Sequence, residues 1–162
     1  MIFVEGCDFE EFCRYLARIK LYTAEGELEE LKTKIDRRLF NLIVWRGDSE
    51  IFGHAIWHET NTEEHRNGDP RDKEDRKALN RFFGGKKDFV ELHEVWLKEE
   101  HRRKGYGKQF FEFFEQFMMD KGYDSIIYYA HHAAALTICR KRGYKEDYLP
   151  KMKENTPQTK AI

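Results

Sequence analysis

An α/β fold is predicted by three features of the sequence. Residues 89 to 97, FVELHEVWL, read as a strand that passes through a glycine turn into an amphipathic helix. Upstream, Leu39 to Trp45 and Ile51 to His58 are rich in β-branched, aromatic and aliphatic residues, and Arg46-Gly47-Asp48-Ser49 between them is turn chemistry, so they read as an antiparallel hairpin. Downstream, Asp124 to His131 and His132 to Gly143 repeat the strand-then-helix order. A chain of 162 residues fits one domain with one sizeable core, here expected over residues 1–152 with a polar, frayed tail at 153–162.

From the N-terminus, residues 8 to 20 predict a helix capped by Asp8, with Phe9, Phe12, Cys13, Leu16, Ala17 and Ile19 on its apolar face. A second, more acidic helix after Thr23 carries Leu28, Leu31 and Ile35 inward. Residues 60–87 break the pattern: they are dominated by charge, contain Asn67-Gly68-Asp69-Pro70, and hold one short helix, Lys73 to Phe83, anchored by Ala78, Leu79, Phe82 and Phe83. A connection of this length is a solvated surface insertion or a lid that orders on ligand binding. In the helix after the glycine turn, Tyr106, Phe110, Phe113, Phe114, Phe117 and Met118 recur with the spacing of one buried face, and Gly122 ends it. Tyr144 to Tyr148 adds a strand that Pro150 terminates.

Composition narrows the function classes. With 29 basic and 30 acidic residues the formal net charge is -1, so no global field favours nucleic acid or an anionic membrane. No apolar run approaches the roughly 18 residues of a spanning helix, and the start MIFVEGCDFE lacks the order of a signal peptide. Cys7, Cys13 and Cys139 are odd in number and without CxxC spacing, which argues against a disulfide framework and a zinc site and fits the cytoplasm. His54 and His58 share a strand face, but no third ligand is identifiable beside them and no metal is expected.

The informative stretch is Arg102-x-x-Gly105-x-Gly107 directly before a helix. Such a turn offers unpaired backbone N–H groups, at the positive end of a helix, to an anion that must approach the main chain. A P-loop would need Ser or Thr after Gly107-Lys108, where Gln109 stands, and a dinucleotide fingerprint would need glycine at 110, where Phe stands. What remains resembles motif A of the GNAT acetyltransferases, whose (Gln/Arg)-x-x-Gly-x-(Gly/Ala) loop holds the pyrophosphate of acetyl-CoA. Lys121 to Tyr144 is similar to that family's motif B, closing on Gly143-Tyr144. The resemblance implies a mixed, mostly antiparallel central sheet of about six strands with helices on both faces. It implies acetyl-CoA as cofactor, held by Leu97, Arg102, Arg103, Lys104, Gly105, Tyr106, Gly107, Lys108 and His132.

Transfer of an acetyl group to an amine needs a base for the amine proton and an acid for the departing thiolate. Glu91 and Glu94 lie on the central strand, where a carboxylate seldom sits without a partner. Glu91 is fourteen residues before Gly105, where histone-type members of the resembled family carry their catalytic glutamate. Burial there is expected to raise its pKa towards neutrality; the competing reading is a structural ion pair. His93 shares a face with Glu91 in a regular strand and is a second base or an orienting group. Four residues before Gly143, where the family often has a tyrosine that protonates the CoA thiolate, this chain has Cys139, with Tyr128, Tyr129 and Tyr148 as substitutes.

The expected activity is acetyl-CoA-dependent N-acetylation of a primary amine by direct attack in a ternary complex. The expected partners are the amine acceptor, small or on a protein, with neither nucleic acid nor membrane; a homodimer is compatible with the sequence. Glu25, Glu27, Glu29 and Glu30 would favour a cationic amine unless they only serve solubility. Two other classes remain open: a non-catalytic acyl-CoA sensor, which would bind without turnover, and an interaction module that grips a protein through the charged loop.

Overall fold

The computed structural model describes every residue except 66–69, His131 and 147–155. The Asn67-Gly68-Asp69 stretch, Tyr148 and Pro150 therefore lie, with His131, outside the described residues. The chain resolves into two compact units, Met1–Trp57 with Glu94–Tyr106, and His58–His93 with Gly107–Ile162. Two strands, β3 (Ile51–Asn61) and β4 (Asp88–Leu97), carry residues of both.

In the first unit the strand order is β1 (Ile2–Glu5), β2 (Asn41–Arg46), then β3. Ile2 lies opposite Arg46 and Glu5 opposite Ile43; the hairpin sets Asn41 opposite Trp57, with a register shift between Trp45 and Arg46. Gly53 is obligatory in this ladder, because a Cβ would lie 2.8 Å from the Trp96 carbonyl oxygen and 3.0 Å from the Trp45 ring. Helix α1 (Phe9–Ile19) starts where predicted: the Asp8 carboxylate accepts from the Glu11 N–H at 2.8 Å, satisfying one of the donors a helix start leaves over. Helix α2 (Glu27–Asp36) buries Leu31. Phe12, Tyr15, Leu16, Leu31, Leu42, Val44, Ile51 and Ile56 form the core, each large side chain contributing about 1.5–3 kcal/mol by leaving water.

In the second unit the order is β4, β5 (Ser125–Ala130), β7 (Thr156–Ala161), β6 (Lys145–Glu146). The β4–β5 ladder is parallel and short, Val90 to Leu92 facing Ile126 to Tyr128, whereas β7 runs antiparallel to β5 along its whole length and to β6. Helix α4 (Tyr106–Asp120) buries Phe110, Phe111, Phe114 and Met118; Phe111 packs on Tyr128 and Tyr144, while Phe113 and Phe117 stack on each other half-exposed. Helix α3 (Lys73–Phe83) is capped by Asp72, closes on Gly84 in the left-handed region, and sets Leu79 against Phe89 and Ile127. Its approach is tied down by buried Arg71, which donates to the Asn61 carbonyl (2.8 Å), the Thr60 hydroxyl (2.7 Å) and Asp75 (2.9 Å). Helix α5 (Ala133–Lys141) follows β5.

The architecture is the expected mixed, mostly antiparallel one, with seven strands among the described residues. Two strands depart from the sequence reading. β1 is an edge strand of four residues, and β7 occupies what reads as a frayed tail, its backbone held by the ladder to β5.

Candidate active site

The turn that leads into α4 has the backbone an anion needs. A 3-10 turn, Glu99–His101, brings the chain off β4; Arg103 and Gly105 then take φ of 62° and 82°, left-handed conformations of the kind from which backbone nests for anions are built. Gly105 is exposed, and nothing lies within 4 Å of where its Cβ would be, leaving space through which a diphosphate can reach the backbone. Arg102 is shaped by its neighbours: its Nε donates to the Leu97 carbonyl at 2.8 Å and its guanidinium lies 5.9 Å from the Trp96 ring. Tyr106 is held in place by Phe52, which also stacks on His101 at 4.6 Å. Arg103 and Lys104 are exposed, and Lys108, in the first turn of α4, pairs with Glu112 at 3.7 Å. These features fit the diphosphate of CoA. Gly107 answers to a different demand, since a Cβ there would meet Ile138 Cδ1 at 3.0 Å.

Glu91 is buried on β4 between two imidazoles. Its Oε2 lies 3.5 Å from His58 Nε2 and its Oε1 3.7 Å from His93 Nδ1, ion-pair separations rather than hydrogen bonds. Burial pushes the carboxyl up, but the two imidazoles outweigh it and hold it well below the usual carboxylate range. The expectation of a raised pKa is therefore corrected: Glu91 is a carboxylate flanked by two imidazoles, not a solitary one in an apolar sheet. Access is unequal, with His93 44% exposed against 8% for His58 and 12% for Glu91, so His93 is the member that solutes can reach. His58 Nδ1 faces the Glu59 carbonyl oxygen at 3.0 Å, which fixes the ring. The sequence reading paired His58 with His54; its partner is Glu91, and the only local hint was a histidine on a strand face without a visible role.

Glu94 belongs to a separate network in the first unit. His54, fully buried, faces Glu94 Oε1 through Nε2 at 2.6 Å and the Tyr15 hydroxyl through Nδ1 at 2.9 Å, while the Tyr22 hydroxyl also donates to Glu94. Burial first, and the Glu94 charge second, push both tyrosine hydroxyls up. Trp96 stacks on the His54 ring at 6.0 Å. Tyr15 and Tyr22 carry no motif, which is why this network is invisible in the sequence.

Cys139 is fully buried in α5, its thiol pushed up to about 12 chiefly by burial and then by Glu115. Tyr128 is buried against Phe111, and Tyr129 lies on the same strand, its hydroxyl pushed up by burial and by Glu91. His132 is the exposed N-cap residue of α5. On α2, Glu29 pairs with Lys32 at 2.7 Å and Glu30 with Lys34 at 2.6 Å, the arrangement of a solvated helix face.

Comparison with known proteins bears on the family and the fold. The family model described as the acetyltransferase (GNAT) family matches residues 9–144. No curated protein matches the sequence. Among solved structures the chain is similar to the polyamine N-acetyltransferase of Drosophila melanogaster, at 11% identity over 99% of each chain and a TM-score of 0.64. It is also similar to arylalkylamine N-acetyltransferase 2 of Aedes aegypti, at 15% identity over 99% of this chain and 98% of that one, TM-score 0.65. A third is the PaiA N-acetyltransferase of Thermoplasma acidophilum in complex with coenzyme A, at 16% identity over all of both chains, TM-score 0.58. At these identities the structures speak for the fold, and the family match, which runs from α1 past α5, speaks for descent. The chain belongs to the acetyltransferase (GNAT) family and is an N-acetyltransferase that uses acetyl-CoA.

Proposed function

We propose that this enzyme acetylates a primary amine of a small molecule by direct attack in a ternary complex, with the Glu91–His93 pair as its proton-accepting apparatus. The observation that carries the reading is a buried carboxylate, held ionised, beside an imidazole that reaches the surface. Acetyl-CoA supplies the activated thioester carbonyl; the chain's own groups bind, orient and move the proton. The left-handed Gly105, the N–H groups opening α4 and the cations Arg103 and Lys104 bind the diphosphate. His93 takes the proton from the attacking amine, imidazole being the side chain that exchanges protons near neutral pH. Glu91 stabilises the resulting imidazolium, and His58, pinned by the Glu59 carbonyl, keeps the carboxylate in place.

A carboxylate held this low is a weak base, so in this reading Glu91 acts through His93 rather than alone. Cys139 takes no part in the chemistry, because it is enclosed and its thiol is a poor acid. A small amine is favoured because relatives of the same fold are named for polyamine and arylalkylamine acceptors. The free cysteines suit a reducing compartment such as the cytoplasm, and among the described residues no helix is long and apolar enough to cross a membrane.

The test is a panel of polyamines, arylalkylamines and a lysine peptide, followed through free thiol released from acetyl-CoA. Turnover with a small amine and none with the peptide is expected. CoA binding without turnover of any amine would favour the sensor reading.

A further inference from the structure

We propose that His58, Glu91 and His93 also form a binding site for a divalent transition metal of zinc's class, and that filling it blocks acetyl transfer. One ligand atom from each, His58 and His93 ring nitrogens and a Glu91 carboxylate oxygen, lies within 4.8 Å of the others. The closest separations are 3.5 Å to His58 and 3.7 Å to His93. Those two contacts fall on different oxygens of the carboxylate; zinc bonds of about 2.0–2.1 Å in a tetrahedron place neighbouring donors roughly 3.3–3.4 Å apart, so a set spread over as much as 4.8 Å closes by up to about 1.5 Å at its widest pair, within reach of side-chain rotation on His93 and Glu91. Two imidazoles and one carboxylate are a donor set that divalent zinc, cobalt and iron accept while keeping a position open.

The surroundings of His58 match what a metal ligand requires. Its Nδ1 sits 3.0 Å from the Glu59 carbonyl oxygen, which can only accept, so the proton of the neutral ring belongs on Nδ1. That leaves Nε2 as the ring nitrogen turned to the Glu91 carboxylate, 3.5 Å from its Oε2. A backbone carbonyl holding the far nitrogen is the usual support of a ligating histidine. His58 and Glu91 are buried while His93 is 44% exposed, so an ion enters from the His93 side and finds its open position there. A metal that takes the His93 lone pair removes the base of the reaction. Only this blocking step rests on the proposed function; the metal site does not.

The test titrates cobalt(II) into chelator-stripped protein, read as visible ligand-field absorption, with zinc as competitor. One ion per chain and the spectrum of a low-coordinate nitrogen and oxygen site are expected. His93→Gln, at the more exposed of the two histidines, and His58→Ala should each weaken binding at least about tenfold, with circular dichroism checking the fold, whereas His65→Ala should not. No stoichiometric binding, or binding unchanged in both His58 and His93 variants, overturns the site. Zinc should abolish thiol release over the concentration range in which it displaces cobalt; a zinc-loaded enzyme that still turns over overturns the block. If the protein transfers no acetyl group to any amine, the proposed function fails while the cobalt titration still decides the site.

Discussion

Gly105 and Gly107 carry the same motif but answer to different physics. Gly105 stands at φ 82° with open space beside it, so a side chain costs roughly 1–2 kcal/mol of backbone strain and fills the route to the amides. Acetyl-CoA at about a hundred times its Kd should stabilise the wild-type protein by about 2.7 kcal/mol, and Gly105→Val should lose that increment in a thermal-shift titration. Gly107 has no such φ; its Cβ would press on the end of the Ile138 side chain, so Gly107→Ala should cost little stability and retain CoA binding. Equal loss of binding in both variants would put the anion against Gly107 as well. At this scale the sequence pointed to Glu91, through its spacing to Gly105, and to His93, through its place two residues along the same strand. It hid His58, whose partnership depends on which strands lie side by side, and it misjudged the sign of the Glu91 shift, because the imidazoles that outweigh burial were unassigned.

The elements most faithful to the sequence are those with a cap in the chain. Asp8 and Asp72 each accept from the first-turn N–H groups of their helices, and α1 and α3 begin beside them as the pattern predicts. Phe111 was missed because α4 is covered over a wider arc than one stripe, with Tyr128 and Tyr144 on its second side. β7 was missed for a different reason: Thr-Pro-Gln-Thr-Lys-Ala has no strand pattern of its own and takes its conformation from the ladder with β5. The charged segment before α3 reads as a solvated insertion, yet Arg71 within it is buried and serves a carbonyl, a hydroxyl and a carboxylate. Arg71→Ala leaves those acceptors unpaired and should destabilise the fold by about 3–5 kcal/mol, a fall in Tm on the order of 10 °C by calorimetry. A change within about 0.5 kcal/mol would mean water replaces the guanidinium without cost.

For the molecule as a whole, the acid limb of stability should depend in part on Glu115, alongside the Glu91 carboxylate of β4. This buried carboxylate on α4 accepts from Arg142 Nε at 3.0 Å and from a terminal nitrogen at 2.7 Å, and from Lys160 of β7 at 2.8 Å. Burial pushes its carboxyl up, but the two cations prevail and the net shift is downward. A group whose folded pKa lies below its unfolded value stabilises fully above the unfolded value, about 4.3 for glutamate, and loses that contribution as pH falls through the folded one. Urea midpoints measured downward from pH 6 should therefore decline below that value, and Glu115→Gln should start lower and decline less. A mutant curve parallel to wild type would assign the acid limb to other carboxylates.

If His93, backed by Glu91, removes the proton of the attacking amine, thiol release from acetyl-CoA at saturating amine will report it. His93→Ala should lower kcat by about 10²- to 10⁴-fold with acetyl-CoA affinity unchanged, the usual worth of a general base. Its rate should lack the rise with pH that the wild type shows, and Glu91→Gln should lower kcat while keeping that rise. A His93→Ala enzyme within a few-fold of wild type, with the pH dependence intact, would contradict the account and move the base to Glu91 itself or to the Glu94–His54 network.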